Sequence, residues 1–317
     1  MGVKKKSGVP DLAVILSTSS EHPTTAAGCF TRNAFKAAPV VVSDQILKRN
    51  GGYARAVVVN SGCANAVTGK QGLDDAWEMV KETDALLPKN SYSKNFEHET
   101  LVMSTGVIGQ NLPISKIIAG IRSQSEKEPT RILGSDFTAW ERAAQAFMTT
   151  DTFPKLRSRV FTIGGVEYRL AGIDKGAGMI HPNMGPAGTS FTSPKQPHAT
   201  LLGCIMTDAA VSPRSLQSAL TYAVDRSFNS ISVDGEMSTN DSIYVLANGA
   251  VSNGFTIDEE ITRDAYEIFK RELTDFATDL AKLVVRDGEG ATKFVTVTVK
   301  VYFLLFYLFS LDVSNGL

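Results

Sequence analysis

A threonine at the entrance to an apolar strand is the residue whose chemistry most needs explaining. Thr200 follows Ala199 and directly precedes the apolar residues 201–206, and the glycine-rich residues 175–179 lie upstream. Threonine is common at such places because its branched side chain suits an extended backbone. From its position alone the sequence predicts a structural threonine. Its neighbours along the chain decide whether it does chemistry.

The segments on either side of Thr200 change that interpretation. Residues 175–184 read KGAGMIHPNM and residues 199–209 read ATLLGCIMTDA. Together they resemble the self-cleaving junction of the ornithine acetyltransferases, the bifunctional glutamate N-acetyltransferases of arginine biosynthesis. The resemblance implies that the protein cuts its own bond between Ala199 and Thr200 and that Thr200 becomes the nucleophile. The freed α-amine, with a reference pKa near 8, would then be a general base beside a weakly nucleophilic hydroxyl.

Three further segments match the same family. Taken alone, STGVIG at residues 104–109 is a strand-to-helix turn, TTDT at residues 149–152 is a helix end, and RDGEGATK at residues 286–293 is a helix stop. The resemblance gives the site residues their roles. Thr105 and Gly106 are expected to form the oxyanion hole, and Thr149, Lys175, Thr200 and Glu289 are expected to bind substrate.

The resemblance also implies the reaction and its setting. Thr200 would take the acetyl group from N2-acetylornithine and pass it to glutamate in a ping-pong cycle, with acetyl-CoA as a second donor and neither a bound cofactor nor a metal. The products of cleavage would be an alpha chain, residues 1–199, and a beta chain, residues 200–317, assembled as two of each in the mitochondrial matrix. Two alternatives stay open: a self-activating aminopeptidase of related fold, and a fragment without catalysis.

Composition narrows the class of protein. The 317 residues are 43% hydrophobic and 21% charged, which is ordinary for a globular protein. A net charge of −1 gives no basic surface for nucleic acid, so no nucleic-acid partner is expected. Three cysteines without paired spacing favour a reducing compartment and offer no zinc site. No membrane association is expected, because the apolar run in residues 301–317 is shorter than the roughly 20 residues that cross a bilayer.

The resemblance implies an α/β fold in which layered sheets lie between helices, with the C-terminal part of the family's fold missing. The periodicity of apolar residues predicts the individual strands and helices. Residues 25–37 give mixed signals and are left unassigned. The predicted strands are residues 12–17, 55–60, 101–109, 160–163, 166–171, 201–206, 230–234, 242–247 and 294–299, and the predicted helices are residues 73–87, 113–123, 137–147, 213–228 and 258–285.

Two segments depart from the family pattern. Residues 185–198, GPAGTSFTSPKQPH, interrupt what the family reads as HPNMATLLG, and their composition predicts a flexible loop. Residues 301–317 resemble no part of the family. The sequence also begins inside the family's first strand region. We therefore expect a chain truncated at both ends, with little or no acetyltransferase activity of its own.

Overall fold

Two β-sheets organise the part of the chain that the computed structural model describes, which is residues 2–4, 8–19, 22–88, 96–125, 127–188 and 200–299. The first sheet has the strand order β1-β3-β4, and β3 is antiparallel to β1 and parallel to β4. Its strands are Leu12–Leu16 (β1), Ala56–Cys63 (β3) and Thr100–Val107 (β4).

The second sheet is larger, and the predicted nucleophile lies at the entrance to one of its central strands. Its order is β5-β6-β8-β9-β2-β7, and only the β8–β9 pair is parallel. Its strands are Thr25–Thr31 (β2), Lys155–Ile163 (β5), Val166–Lys175 (β6), Met184–Pro186 (β7), Leu202–Thr207 (β8) and Ser242–Ala247 (β9). Thr200 therefore lies just before a central strand with a neighbour on each side.

Helices cover both sheets. Those of the described residues are Ala38–Arg49 (α1), Gly69–Asp84 (α2), Ile114–Arg122 (α3), Phe137–Phe147 (α4), Pro213–Arg226 (α5) and Arg263–Arg286 (α6). α1 and α4 contact strands of both sheets, α2 and α3 contact the first sheet, and α5 and α6 contact the second. This arrangement confirms the predicted α/β fold of layered sheets and helices.

The sequence of α6 determines which face of the helix packs against the second sheet. Phe269, Leu273, Phe276 and Leu280 repeat at helical spacing and are fully buried, or nearly so, against the second sheet. Burying each such side chain contributes about 1.5–3 kcal/mol. Gly172 of β6 lets the helix approach, because a Cβ there would lie 2.7 Å from Phe276 and 2.8 Å from Leu280.

Several predicted boundaries are wrong for identifiable reasons. α6 begins at Arg263, five residues later than predicted, because the Asp258 carboxylate accepts from Glu260 N and Ile261 N and holds a turn there. Ile261, expected on the buried stripe, is 85% exposed. The predicted strand at residues 230–234 is a short 3-10 turn, Phe228–Ser230, followed by a loop.

The predicted strand at residues 294–299 is also wrong. These residues have no regular structure, and Val295, Val297 and Val299 are 71–81% exposed. Alternation of apolar and polar residues favours a strand only when a neighbouring strand supplies hydrogen bonds. Residues 294–299 pair with no strand in the described part of the chain.

The start of the predicted flexible loop is ordered by pairing. Gly185 and Pro186 lie in β7, opposite Phe30 and Cys29 of β2. Gly188 N then donates to Asp44 Oδ1 at 2.8 Å. The prediction of a loop is therefore wrong for Gly185 and Pro186, whereas residues 187 and 188 form a turn. Residues 189–198, and the tail at residues 301–317, lie outside the described residues.

Candidate active site

Four of the predicted site residues lie together where strand ends of the two sheets meet. Thr105 is close to the end of β4, and Lys175 is the last residue of β6. Lys175 pairs with Leu202 across the antiparallel β6–β8 ladder, so Thr200, two residues earlier, lies near it. Thr149 follows the end of α4. The fold thus brings together residues that are as far apart in sequence as Thr105 and Thr200.

Lys175 connects the hydroxyls of the site. Its Nζ donates to Thr149 Oγ1 at 2.8 Å and to Thr105 Oγ1 at 3.3 Å. Thr105 Oγ1 in turn donates to the Thr200 carbonyl oxygen at 3.5 Å, the outer limit of a hydrogen bond. A row of donors therefore runs from the ammonium group to the backbone of the predicted nucleophile.

The charge of Lys175 is compensated inside the protein. Its side chain is fully buried, and Nζ lies 3.7 Å from Asp151 Oδ2. Burial lowers the pKa of Lys175, while the Asp151 carboxylate acts in the opposite direction. The ammonium group is thus less firmly protonated than a surface lysine, and Asp151 is its main support.

Asp151 is the anchor of the site. Its Oδ1 accepts from Lys155 Nζ at 2.6 Å and from Gly176 N at 2.7 Å, and its Oδ2 accepts from Thr149 N at 2.9 Å. Burial alone would raise the pKa of Asp151, but the charges of Lys175 and Lys155 outweigh it and lower the pKa to about 2. The carboxylate therefore stays ionised and fixes both the threonine turn and the glycine turn.

Gly106 makes a close backbone contact that no other residue would allow. It pairs with Gly62 across the parallel β3–β4 ladder and has φ +122°. A Cβ on Gly106 would lie 2.5 Å from the carbonyl carbon of Gly62. The two glycines let the ends of β3 and β4 lie directly against each other beside Thr105.

Thr200 is held through its backbone. Its N donates to Ser238 Oγ at 2.6 Å, and the next nitrogen, Leu201 N, donates to Asp241 Oδ1 at 3.0 Å. Thr200 is only 6% exposed. Ala199, the other half of the predicted cleavage site, lies outside the described residues.

Glu289 lies at the edge of the site and is exposed. Its N donates to the Ala177 carbonyl at 2.7 Å, and its carboxyl group covers Gly178, where a Cβ would approach the carboxyl atoms within 2.6–2.8 Å. Asp287, two residues earlier, accepts from Lys155 Nζ at 2.5 Å. The turn after α6 is thereby fixed against the glycine turn after β6.

Five polar residues that hold the site together were not predicted from the sequence. They are Asp151, Lys155, Ser238, Asp241 and Asp287. Asp151 and Asp287 lie in the segments TTDT and RDGEGATK, in which other residues were expected to bind substrate. Ser238 and Asp241 lie in residues 235–241, GEMSTND, to which no role was assigned. Lys155 is the first residue of β5 and lies outside the segments that resemble the family, so nothing in the sequence indicated its role.

Asp174 is a buried carboxyl group beside the site, and no hydrogen bond compensates for its burial within the described residues. Both of its oxygens are buried and have no hydrogen-bond partner among the described residues. Burial raises the pKa of Asp174 well above its usual range, and the charge of Lys155 offsets this only in part. The folded chain therefore holds a proton here that the unfolded chain releases above about pH 4.

Asp174→Asn is therefore expected to raise the free energy of unfolding at pH 8 by about 1–3 kcal/mol. Because the folded pKa is raised, the contribution of the native carboxyl group to stability is greatest below about pH 4 and declines as the pH rises. Urea unfolding at pH 5 and pH 8 measures the gain, which should be larger at pH 8. The exposed Asp275→Asn is the matched control, and an equal effect of both substitutions would contradict the explanation.

The described residues contain neither a candidate metal-binding cluster nor a candidate membrane-spanning helix. No group of three or more His, Cys, Asp and Glu side chains there could hold a metal ion. No helix in the same part of the chain is long and apolar enough to cross a bilayer. The three cysteines, Cys29, Cys63 and Cys204, are buried thiols.

The sequence of the chain is similar to a known protein family and to several of its members. A sequence model of the ArgJ family matches residues 1–301. The mitochondrial arginine biosynthesis bifunctional protein ArgJ of Coprinopsis cinerea is 82% identical over 299 residues, which are 94% of this chain and 62% of that protein. The protein of the same name from Postia placenta is 70% identical over 297 residues, 93% of this chain and 62% of that protein.

Solved structures give a more limited similarity. The crystal structure of the argJ protein from Bacillus halodurans is 36% identical, covers 58% of this chain and 86% of its own, and has a TM-score of 0.46. Ornithine acetyltransferase from Mycobacterium tuberculosis, solved with ornithine, is 32% identical, covers 58% and 88%, and has a TM-score of 0.45.

The chain spans about 62% of the length of the curated relatives described above. The family match over residues 1–301 includes every segment on which the resemblance was based. The prediction of family from the motifs is confirmed: the chain belongs to the ArgJ family.

Proposed function

We propose that this chain carries the self-cleaving junction and the acetyl-transfer site of an ornithine acetyltransferase, which moves acetyl from N2-acetylornithine to glutamate. One observation supports the proposal above all others. Thr105, Thr149 and Thr200 meet around the buried Lys175, with a hydroxyl donor directed at the Thr200 backbone. The relatives named as bifunctional arginine biosynthesis proteins support the same activity.

Self-cleavage is the first proposed step. The Thr200 hydroxyl attacks the Ala199 carbonyl carbon, the peptide bond between them becomes an ester, and water hydrolyses the ester. Negative charge develops on the carbonyl oxygen, and Thr105 and Gly106 would stabilise it as donors at the end of β4. The step leaves Thr200 with a free α-amine beside its own hydroxyl.

Acetyl transfer would use the same atoms. The Thr200 hydroxyl attacks the acetyl carbonyl of N2-acetylornithine and ornithine departs, which leaves an acetyl ester on Thr200. The amine of glutamate then attacks that ester. Thr149 and Lys175 are the proposed partners of the substrate carboxylate, and the exposed Glu289 is the proposed partner of the ornithine ammonium group. Acetyl-CoA is proposed as a second acetyl donor, with no cofactor held by the protein.

Assembly and location are proposed on the same basis. The cut chain would give an alpha chain of residues 1–199 and a beta chain of residues 200–317, in a complex with two of each. The mitochondrial names of the relatives support a mitochondrial location.

Incubation with N2-acetylornithine tests the function. The protein is supplied with N2-acetylornithine, with and without glutamate, and ornithine is measured. A transferase produces ornithine continuously only with glutamate, whereas a self-activating aminopeptidase produces it equally fast in both. No ornithine from this chain, beside turnover by the Coprinopsis cinerea relative, would favour the fragment without catalysis.

A further inference from the structure

Ser238 is buried directly against the nitrogen of the predicted cleavage site. Its Oγ lies 2.6 Å from Thr200 N, and the residue has no exposed surface. The Ser238 carbonyl accepts from Thr31 Oγ1 at 2.7 Å, and the Thr239 carbonyl accepts from Ala37 N at 3.0 Å. Two neighbouring elements thus fix the segment in place, so the contact with Thr200 is built into the fold.

The hydrogen bonds of Ser238 leave its proton available. Its Oγ accepts from Thr200 N and from Asn240 N at 3.0 Å. A hydroxyl group has two acceptor sites and one donor, so both acceptor sites are occupied and only the O–H remains to be donated. The Asp241 carboxyl group is three residues along and interacts with the Ser238 hydroxyl, so a proton can pass between these two groups.

Cleavage needs a proton at this place. Thr200 N is an amide nitrogen before the cut and an amine after it, so it must gain a proton as the bond to the Ala199 carbonyl carbon breaks. Because Thr200 N–H already contacts Ser238 Oγ, rotation of the serine hydroxyl would aim its O–H at the nitrogen as it becomes tetrahedral. No other side chain in the described part of the chain hydrogen-bonds to Thr200 N.

We propose that Ser238 protonates the Thr200 nitrogen during self-cleavage and that Asp241 resupplies the proton. The inference rests on the proposed self-cleavage. In this step the bond from Thr200 Oγ1 to the Ala199 carbonyl carbon forms and the bond from that carbon to Thr200 N breaks. The Ser238 proton passes to the nitrogen, the Asp241 carboxyl proton passes to Ser238, the Thr200 hydroxyl proton leaves to water, and Asp241 regains one from water.

The electrostatics of Asp241 suit this role. Burial raises the pKa of Asp241 to about 7, against the hydrogen bonds from Leu201 N and Ser238 and against the charge of Lys175. Near neutral pH a substantial fraction of the carboxyl groups therefore still carries a proton. The same carboxyl holds Leu201 N at 3.0 Å, so donor and cleavage site move together.

The test compares Ser238→Ala, Ser238→Thr and the control Ser43→Ala in the full chain. Ser43 is also fully buried, and its hydroxyl donates to Val102 O and accepts from Val102 N, both at 2.9 Å, so its variant measures the loss of a buried serine hydroxyl that does not contact Thr200 N. Self-cleavage is followed on denaturing gels with hydroxylamine present, which opens any ester rapidly, so the rate reports the acyl shift alone. We expect Ser238→Ala to slow cleavage about 10²-fold or more, with Ser43→Ala near the parent rate and Ser238→Thr in between.

The pH profile tests Asp241. The parent rate with hydroxylamine should fall as the pH rises through about 7, and Asp241→Asn should be slow and lack that fall. If Ser238→Ala is cleaved at the parent rate, or if Ser43→Ala slows cleavage equally, the role of Ser238 is overturned while the proposed self-cleavage stands. A parent chain that stays uncut would overturn the proposed self-cleavage as well.

Discussion

Thr200→Ala is expected to abolish self-cleavage, leaving one chain of full length. Alanine has no hydroxyl to attack the Ala199 carbonyl carbon. Ser238 cannot replace it, because its hydroxyl lies against Thr200 N and is proposed to protonate that nitrogen. Thr200→Ser keeps the nucleophile and should still be cut. Denaturing gels measure the loss, and N-terminal sequencing of the smaller parent product should begin Thr-Leu-Leu-Gly.

Thr207→Ala is the matched control for this substitution. Thr207 is the last residue of β8, the strand that begins two residues after Thr200. It is also nearly buried, so its variant measures the cost of losing a buried threonine hydroxyl elsewhere in the sheet. Its variant should be cut at the parent rate. Cleavage of Thr200→Ala, or a new N-terminus at another residue, would remove Thr200 from the role of nucleophile.

Elements with complete local signals were predictable from the sequence. α4 was predicted residue for residue, because its amphipathic pattern begins after Asp136, whose carboxylate accepts from Ala139 N as an N-cap. β9 was predicted with the same accuracy as a short apolar run between polar turns. Local chemistry alone decided both.

α1 shows where local signals fail. Its residues 40–42 are three valines, which favour a strand. They form a helix because Val40 and Val42 are buried against the sheets and Pro39 suits the first helical turn. Packing across the molecule overrides propensity here, and a single sequence does not show which faces will meet.

Some residues of the active site were predictable from local sequence, and others depend on packing between distant segments. Thr105, Thr149 and Lys175 were found because each lies in a segment that resembles a known family, and the structure brings them together. Lys155 and Asp287 are 132 residues apart, and their ion pair depends on how β5 and the end of α6 pack. Charge pairs of this kind carry no local pattern, so reasoning from motifs could not find them.

Lys155→Met is expected to lower the free energy of unfolding by about 3–5 kcal/mol at pH 7. The Lys155 ammonium is fully buried between Asp151, at 2.6 Å, and Asp287, at 2.5 Å. Methionine fills a similar volume but leaves two buried carboxylates without their shared cation. The exposed Lys70→Met is the control, since Lys70 lies 4.0 Å from Asp74 with 91% of its side chain exposed and should cost less than about 1 kcal/mol.

The dependence of that loss on pH identifies its cause. The pKa of Asp151 is about 2 in the folded chain and about 4 in the unfolded chain, so its stabilising contribution is present above pH 4 and is lost as the pH falls through 2. A variant that lacks one of the cations should hold Asp151 less firmly ionised. The difference in unfolding free energy between parent and Lys155→Met should therefore be full above about pH 5 and shrink toward pH 2. Urea unfolding across this range measures it, and a difference that does not change with pH would assign the loss to packing of the lysine stem instead of to its charge.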